Sequence, residues 1–180
     1  AAKFLPFSSY RSQRPEDLWA FLDKTSRETG AQFVAIPHNS NMSDGRMFDR
    51  VDSDGRPITA EYARERIRWE GVMEISQTKG TSETDPVMSP NDEFAGFEVR
   101  NKLLTGTAIK SAPGSFARTA LMEGLAQEAR IGVNPFKFGI IGSTDSHNSL
   151  TSVEEYNFYG KLANQMIAAQ RPQDRGNFPI

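Results

Sequence analysis

The sequence predicts an α/β fold in which parallel strands are joined by helical crossovers, and three observations carry that expectation. Three apolar runs, at 31–37, 72–75 and 137–142, have strand length. Each is followed by a helical pattern or a long connection rather than a tight turn, which implies parallel pairing. Finally, both histidines, His38 and His147, stand just beyond the end of such a run. Open α/β sheets and (β/α) barrels carry their reactive side chains there, at the carboxyl ends of parallel strands.

Taken in order, Pro15-Glu16-Asp17 opens a helix over 15–29. Proline loses no needed N–H in a first turn, and the two acids face the positive end of the helix dipole. Gly30 stops it. The run 31–37 follows as a strand ending in the His38 loop. Asp44-Gly45 and Asp54-Gly55 are turn signals, after which Thr59 caps a helix over 60–70 that ends at Gly71. The run 72–75 is a strand carrying Glu74. Residues 76–112 have no long periodic segment, and a connection of that length in a compact domain is usually either functional or a stretch whose elements are misassigned. Ser115 begins a helix over 116–131, closed by Gly132. The run 137–142 does not alternate, so a strand buried on both faces is expected. A last helix over 156–170 and an extended tail over 171–180 complete the reading. Three strands do not close a barrel, which needs ~250 residues and eight strands.

Composition bounds the function classes. At 180 residues, with 37% hydrophobic and 24% charged residues, one globular domain spanning 1–180 is expected. A net charge of −2 and a pI near 5.8 give no positive field for nucleic acid or an anionic membrane surface. No apolar stretch approaches the length of a spanning helix, and Ala1 opens no leader pattern, so neither a membrane nor a secretory segment is expected. With no cysteine, any metal must be held by His and carboxylates. The compartment stays open.

Asp145 and His147 are two residues apart, and residues i and i+2 of an extended chain project to the same side. They can reach one site together. Asp52, Asp54, Gly55 and Glu61 imitate part of a calcium-binding EF-hand loop, but Arg50 stands where its first acid is needed, so two turns are read instead. No serine-hydrolase elbow, phosphate-binding loop or dinucleotide fingerprint is present.

Four segments together resemble a bacterial family named as a domain of unknown function, number 3604. They are 35–41 (AIPHNSN), 74–83 (EISQTKGTSE), 134–139 (NPFKFG) and 141–147 (IGSTDSH). That family is similar to the polymerase and histidinol phosphatase (PHP) group of metal-dependent phosphoesterases, whose distorted (β/α) barrels hold two or three metal ions. The resemblance implies that Asp145 and His147, in a motif like the PHP Gly-Ser-Asp-x-His with one residue inserted, are metal ligands. It suggests His38 as a third ligand, and it likens Glu74 to a strand-borne glutamate near the PHP site. PHP-like proteins also open with a His-x-His pair, which this chain lacks before His38. A portion of a larger PHP-like barrel is therefore expected, with the remaining ligands supplied upstream; the alternatives are that another chain supplies them or that the site is crippled.

Simpler readings stand beside each of these. His38 can be satisfied by backbone groups at a strand end, and Glu74 can be a buried acid paired with Arg64 or Arg100. Lys79 and Glu83 follow a strand, where they can bind substrate or be solvated. Arg118 opens a helix, where a cation opposes the dipole and points to an anion partner unless it is merely solvated. Arg64, Arg66 and Arg68 alternate with Glu61 and Glu65 as an exposed, weakly paired face. The expected activity is hydrolysis of a phosphoester or related small ester by metal-activated water. His38, Asp145 and His147 would hold zinc, manganese or iron, with Glu74, Lys79 and Arg118 in catalytic roles. The other expectation is a non-catalytic barrel portion acting as a binding or structural module.

Overall fold

The computed structural model describes residues 5–103 and 105–147. The helix expected over 156–170 and the tail beyond it lie outside the described residues. Helix α1 (Pro15–Thr29) has its acids in the first turn and ends where Gly30, at φ 73°, donates its N–H to Ser26 at 2.8 Å. It buries Trp19, Leu22 and Thr25, a single face at helical spacing. Helix α2 (Ala60–Trp69) is capped by Thr59, whose hydroxyl accepts the Tyr62 N–H at 3.2 Å. Strand β1 (Val72–Gln77) turns directly into β2 (Gly80–Thr81), then a long connection leads to helix α3 (Ala117–Ile131) and strand β3 (Gly139–Gly142).

The three strands form one open sheet in the order β2-β1-β3, so the chain is α/β with a small mixed sheet. β1 and β3 are parallel, as expected, with Val72 opposite Gly139 and Glu74 opposite Ile141. Ser76 then faces Gly142, leaving Ile75 as the extra residue of a β-bulge. The antiparallel β1–β2 hairpin lies within the stretch read as a loop. Its sharp reversal needs Gly80, where φ is 93° and an added Cβ would lie 2.8 Å from the Glu98 carbonyl oxygen.

Residues 31–37 do not form the expected strand. They do run beside β1 in the same direction, with the Ala35 N–H on Trp69 O at 2.8 Å and the Glu74 N–H on Pro37 O at 2.9 Å. Those two bonds span two residues on this segment and five on the other, from Trp69 at the end of α2 to Glu74, so no ladder register is kept, and Pro37 has no N–H to continue one. Successive residues of a strand aim their backbone groups at opposite edges. Gly71 O takes the Gly139 N–H, whereas Glu74 donates to Pro37, so 35–37 and β3 flank opposite edges of β1.

The main core joins Phe48, Ile58, Ala63, Met73, Ala117, Ala120 and Phe136, and a second cluster joins Trp19, Leu22 and Trp69. Phe136 is fully buried, which stabilises by about 1.5–3 kcal/mol. Two expectations about burial are corrected. β3 is exposed rather than buried on both faces, with Ile140 at 47% and Ile141 at 41%, because among the described elements it packs chiefly against β1 and no helix covers it. Arg66 is buried at 4% exposure, not on an exposed face. Ala63, Arg66 and Trp69 recur every third residue, which turns Arg66 inward beside Glu70 at 2.9 Å, under the rings of Phe136 and Phe48. None of the described helices is long and apolar enough to cross a membrane.

Candidate functional site

Three chain segments running in one direction end on one side of the sheet. Pro37 leads into His38 and Asn39, β1 ends at Gln77 before Lys79, and β3 leads from Gly142 into Asp145 and His147. Ser143 extends the pairing by donating its N–H to Ser76 O at 3.1 Å. Asn39 and Asp145 both adopt left-handed backbone, at φ 56° and 55°. Asn and Asp tolerate that region better than most residues, and it turns each segment sharply as it leaves the sheet.

At this edge the Asp145 carboxylate lies between two partners. Its Oδ2 takes the Lys79 ammonium, and its Oδ1 lies 3.0 Å from His147 Nε2. Lys79 and Asp145 are about as buried as each other, at 15% and 13% side-chain exposure, whereas His147 is half exposed. With Nε2–H given to a carboxylate, Nδ1 is left as the lone-pair nitrogen of a neutral ring. Asp145 thereby fixes the tautomer and orientation of His147, as carboxylates do for metal-binding and general-base histidines.

The other expected residues are placed less directly. His38 is exposed, with Nδ1 3.0 Å from its own segment's Ile36 O, a histidine satisfied by backbone. Glu74 is buried, but neither Arg64 nor Arg100 pairs with it; Oε2 is enclosed with no hydrogen-bond partner. Among the described residues, no three His, Asp or Glu side chains are grouped to hold one metal ion.

Arg118 finds its anions within the chain. It contacts Glu83 at 2.5 Å and Asp92 at 2.6 Å, and these two hydrogen-bonded carboxylates hold its pKa above the usual value. Asp92 is held below the usual carboxylate range, first by the Phe94 N–H and then by Arg118. The first N–H groups of α3 are taken too, Ala117 by Ser82 O at 2.9 Å and Arg118 by Glu83 O at 3.2 Å. The anion that a cation at this helix start implies is therefore the chain's own loop, and Glu83 is part of that clamp. Ser115 does not cap α3; its hydroxyl accepts the Gly45 N–H at 2.8 Å.

Sequence reasoning missed Gln77. It is buried, and its Oε1 accepts the Lys79 N–H at 2.8 Å. A polar residue closing an apolar strand beside a charged turn was the available signal. A cleft of about 600 Å³ opens elsewhere, between Asp44–Arg50 and the start of α3, and it contains none of the expected site residues.

A family model described as protein of unknown function (DUF3604) matches residues 1–177. No curated protein and no solved structure matches the chain.

Proposed function

The chain belongs to the DUF3604 family, and on that premise we propose that it serves a metal-dependent hydrolase of PHP type, acting on a phosphoester or related small ester. The observation that carries the reading is the Lys79–Asp145–His147 arrangement at the carboxyl edge of a parallel strand pair. Two features fit a cation. Glu74 Oε2 is a buried oxygen lacking a partner, and the Lys79 ammonium already holds positive charge against Asp145. Asp145 and His147 would supply two ligands to a divalent ion such as zinc, manganese or iron, His38 joining them only once its ring leaves the Ile36 carbonyl, and the ion would supply Lewis acidity and a water of pKa about 7.

The chain's own groups have separable roles. Asp145 orients the His147 ring, and Lys79 neutralises Asp145, a charge that a bound divalent ion would supply instead. Glu74, enclosed on β1, would take a proton or complete the ligand set. Further ligands come from the remainder of a larger barrel or from another chain. Arg118 has no substrate role in this reading, since Glu83 and Asp92 engage it.

Titration calorimetry with manganese and zinc tests the proposal. Asp145→Asn and His147→Ala should each weaken binding at least about tenfold, since removing a ligand or its orienting partner commonly costs 10–100-fold. Lys79→Met should strengthen it by freeing the carboxylate. Unchanged affinity in all three variants would refute the reading. One observation favours a second reading, a binding module without catalysis: Asp145 is already satisfied on both oxygens. Under it, the wild-type chain binds neither metal, and chelation leaves its stability unchanged.

A further inference from the structure

Gln77 ends β1 between Ser76, whose carbonyl takes the Ser143 N–H, and Lys79, whose ammonium meets Asp145. Its amide orientation is fixed by chemistry. The Lys79 N–H can only donate, so the atom facing it at 2.8 Å must be the acceptor Oε1, which also lies 3.5 Å from the Thr78 hydroxyl. The other end of the amide is therefore Nε2, a donor of two hydrogens. That atom is enclosed in a residue only 8% exposed, and no hydrogen-bond partner meets it. Buried donors are paired in the great majority of cases, and an unpaired one carries its full desolvation cost. The turn holding the amide rigid also bears the Lys79 ammonium, which has three donors and gives one contact to Asp145.

We propose that Gln77 is a ligand-binding residue whose Nε2–H₂ donates to an oxyanion oxygen, alongside the remaining donors of Lys79. The ligand class is an anion with at least two acceptor oxygens, a phosphoryl or carboxylate group. Oε1 has a structural role and Nε2 a recognition role, which separates what each substitution removes. This inference rests on the hydrolase reading for the identity of the site, but not on metal binding.

Inorganic phosphate is the probe, titrated into the ¹⁵N-labelled chain and followed through side-chain amide resonances. The Gln77 Nε2–H₂ pair should shift with saturation, and affinity should fall about tenfold or more in Gln77→Met, as expected for a lost hydrogen bond to a charged group. Gln77→Glu keeps an acceptor for the Lys79 N–H while replacing the donor with a second anionic oxygen, so it should lose binding further, with the phosphate titration run at a temperature where each variant's melting curve shows it folded. Phosphate that leaves the Gln77 resonances unmoved, or binds equally well to both variants, overturns the inference, as does a wild-type chain that binds no phosphate. Gln77-dependent binding that persists with chelator present supports it while counting against metal catalysis. Metal-dependent turnover with an unchanged KM in Gln77→Met overturns it and leaves the hydrolase reading standing.

Discussion

Replacing Arg66 by methionine isolates what a buried charge contributes to this core. The guanidinium lies 2.9 Å from Glu70 Oε2, donates to Met47 O at 2.7 Å, and stands 4.9 Å and 5.6 Å from the ring centroids of Phe136 and Phe48. Methionine restores most of the side-chain length but none of these polar contacts. Glu70 keeps only the Trp19 Nε1–H on Oε1, at 3.0 Å; its Oε2 makes no hydrogen bond of good geometry and depends on the ion pair. Breaking a buried pair from one side costs about 3–5 kcal/mol, mostly from the stranded charge. At about 2–4 °C per kcal/mol for this size, the melting temperature should fall by roughly 6–20 °C. Arg66→Met/Glu70→Gln removes the stranded charge while keeping an acceptor for Trp19, and should recover about 2 kcal/mol. Urea unfolding followed by the fluorescence of Trp19 and Trp69 reads all three proteins. Arg66→Met within about 1 kcal/mol of wild type, or a double variant no better than the single, would refute the stranded-charge argument.

Other substitutions test other parts of the fold. Gly124→Ala should destabilise by about 1–2 kcal/mol although alanine favours helix by about 1, because its Cβ would fall 2.2 Å from Asn134 Oδ1, which accepts the Phe136 N–H; a raised melting temperature would contradict this. Burial pushes the Tyr62 hydroxyl up to about 12. Its contribution is complete below the unfolded value near 10 and is lost as pH rises from about 10 to 12, amounting to about 3 kcal/mol, so Tyr62→Phe should flatten the alkaline limb of a stability-versus-pH curve. Arg118→Gln should speed hydrogen exchange across 83–95 with little change in global unfolding, since exposed ion pairs order loops more than they stabilise domains. Equal exchange in that loop would show that the Glu83–Arg118–Asp92 clamp does not hold it.

Much of the frame is legible because its signals are local. Pro15, Thr59, Gly30 and Gly132 mark helix ends through single-residue chemistry, and β1 and β3 declare themselves by composition. What escaped depends on neighbours. Residues 31–37 have strand composition, yet their bonds to Trp69 and Glu74 fall out of register and build no ladder. The hairpin was signalled by Lys79-Gly80 but hidden within a polar stretch. Arg66 follows the charge alternation of a surface helix, and only its spacing from Ala63 and Trp69 shows where it points. At the site, Asp145 and His147 are legible as a pair because only Ser146 stands between them, although a left-handed turn at Asp145 rather than an extended chain brings them together. That Lys79 completes the group is a property of β1 and β3 lying side by side, and charge pattern alone leaves Arg118's carboxylates unidentified.

The parallel β1–β3 pair has a kinetic meaning. Its partners are divided by the 82–112 connection and all of α3, so a large loop must close before they gain from pairing, and such contacts form slowly. The β1–β2 hairpin closes through two residues, a microsecond event. During refolding, β1 therefore acquires its short partner first and waits with its other edge unpaired. Asp145 and His147 ride on the late strand. The candidate site is consequently among the last features to assemble, and aggregation competes with β3 for that waiting edge.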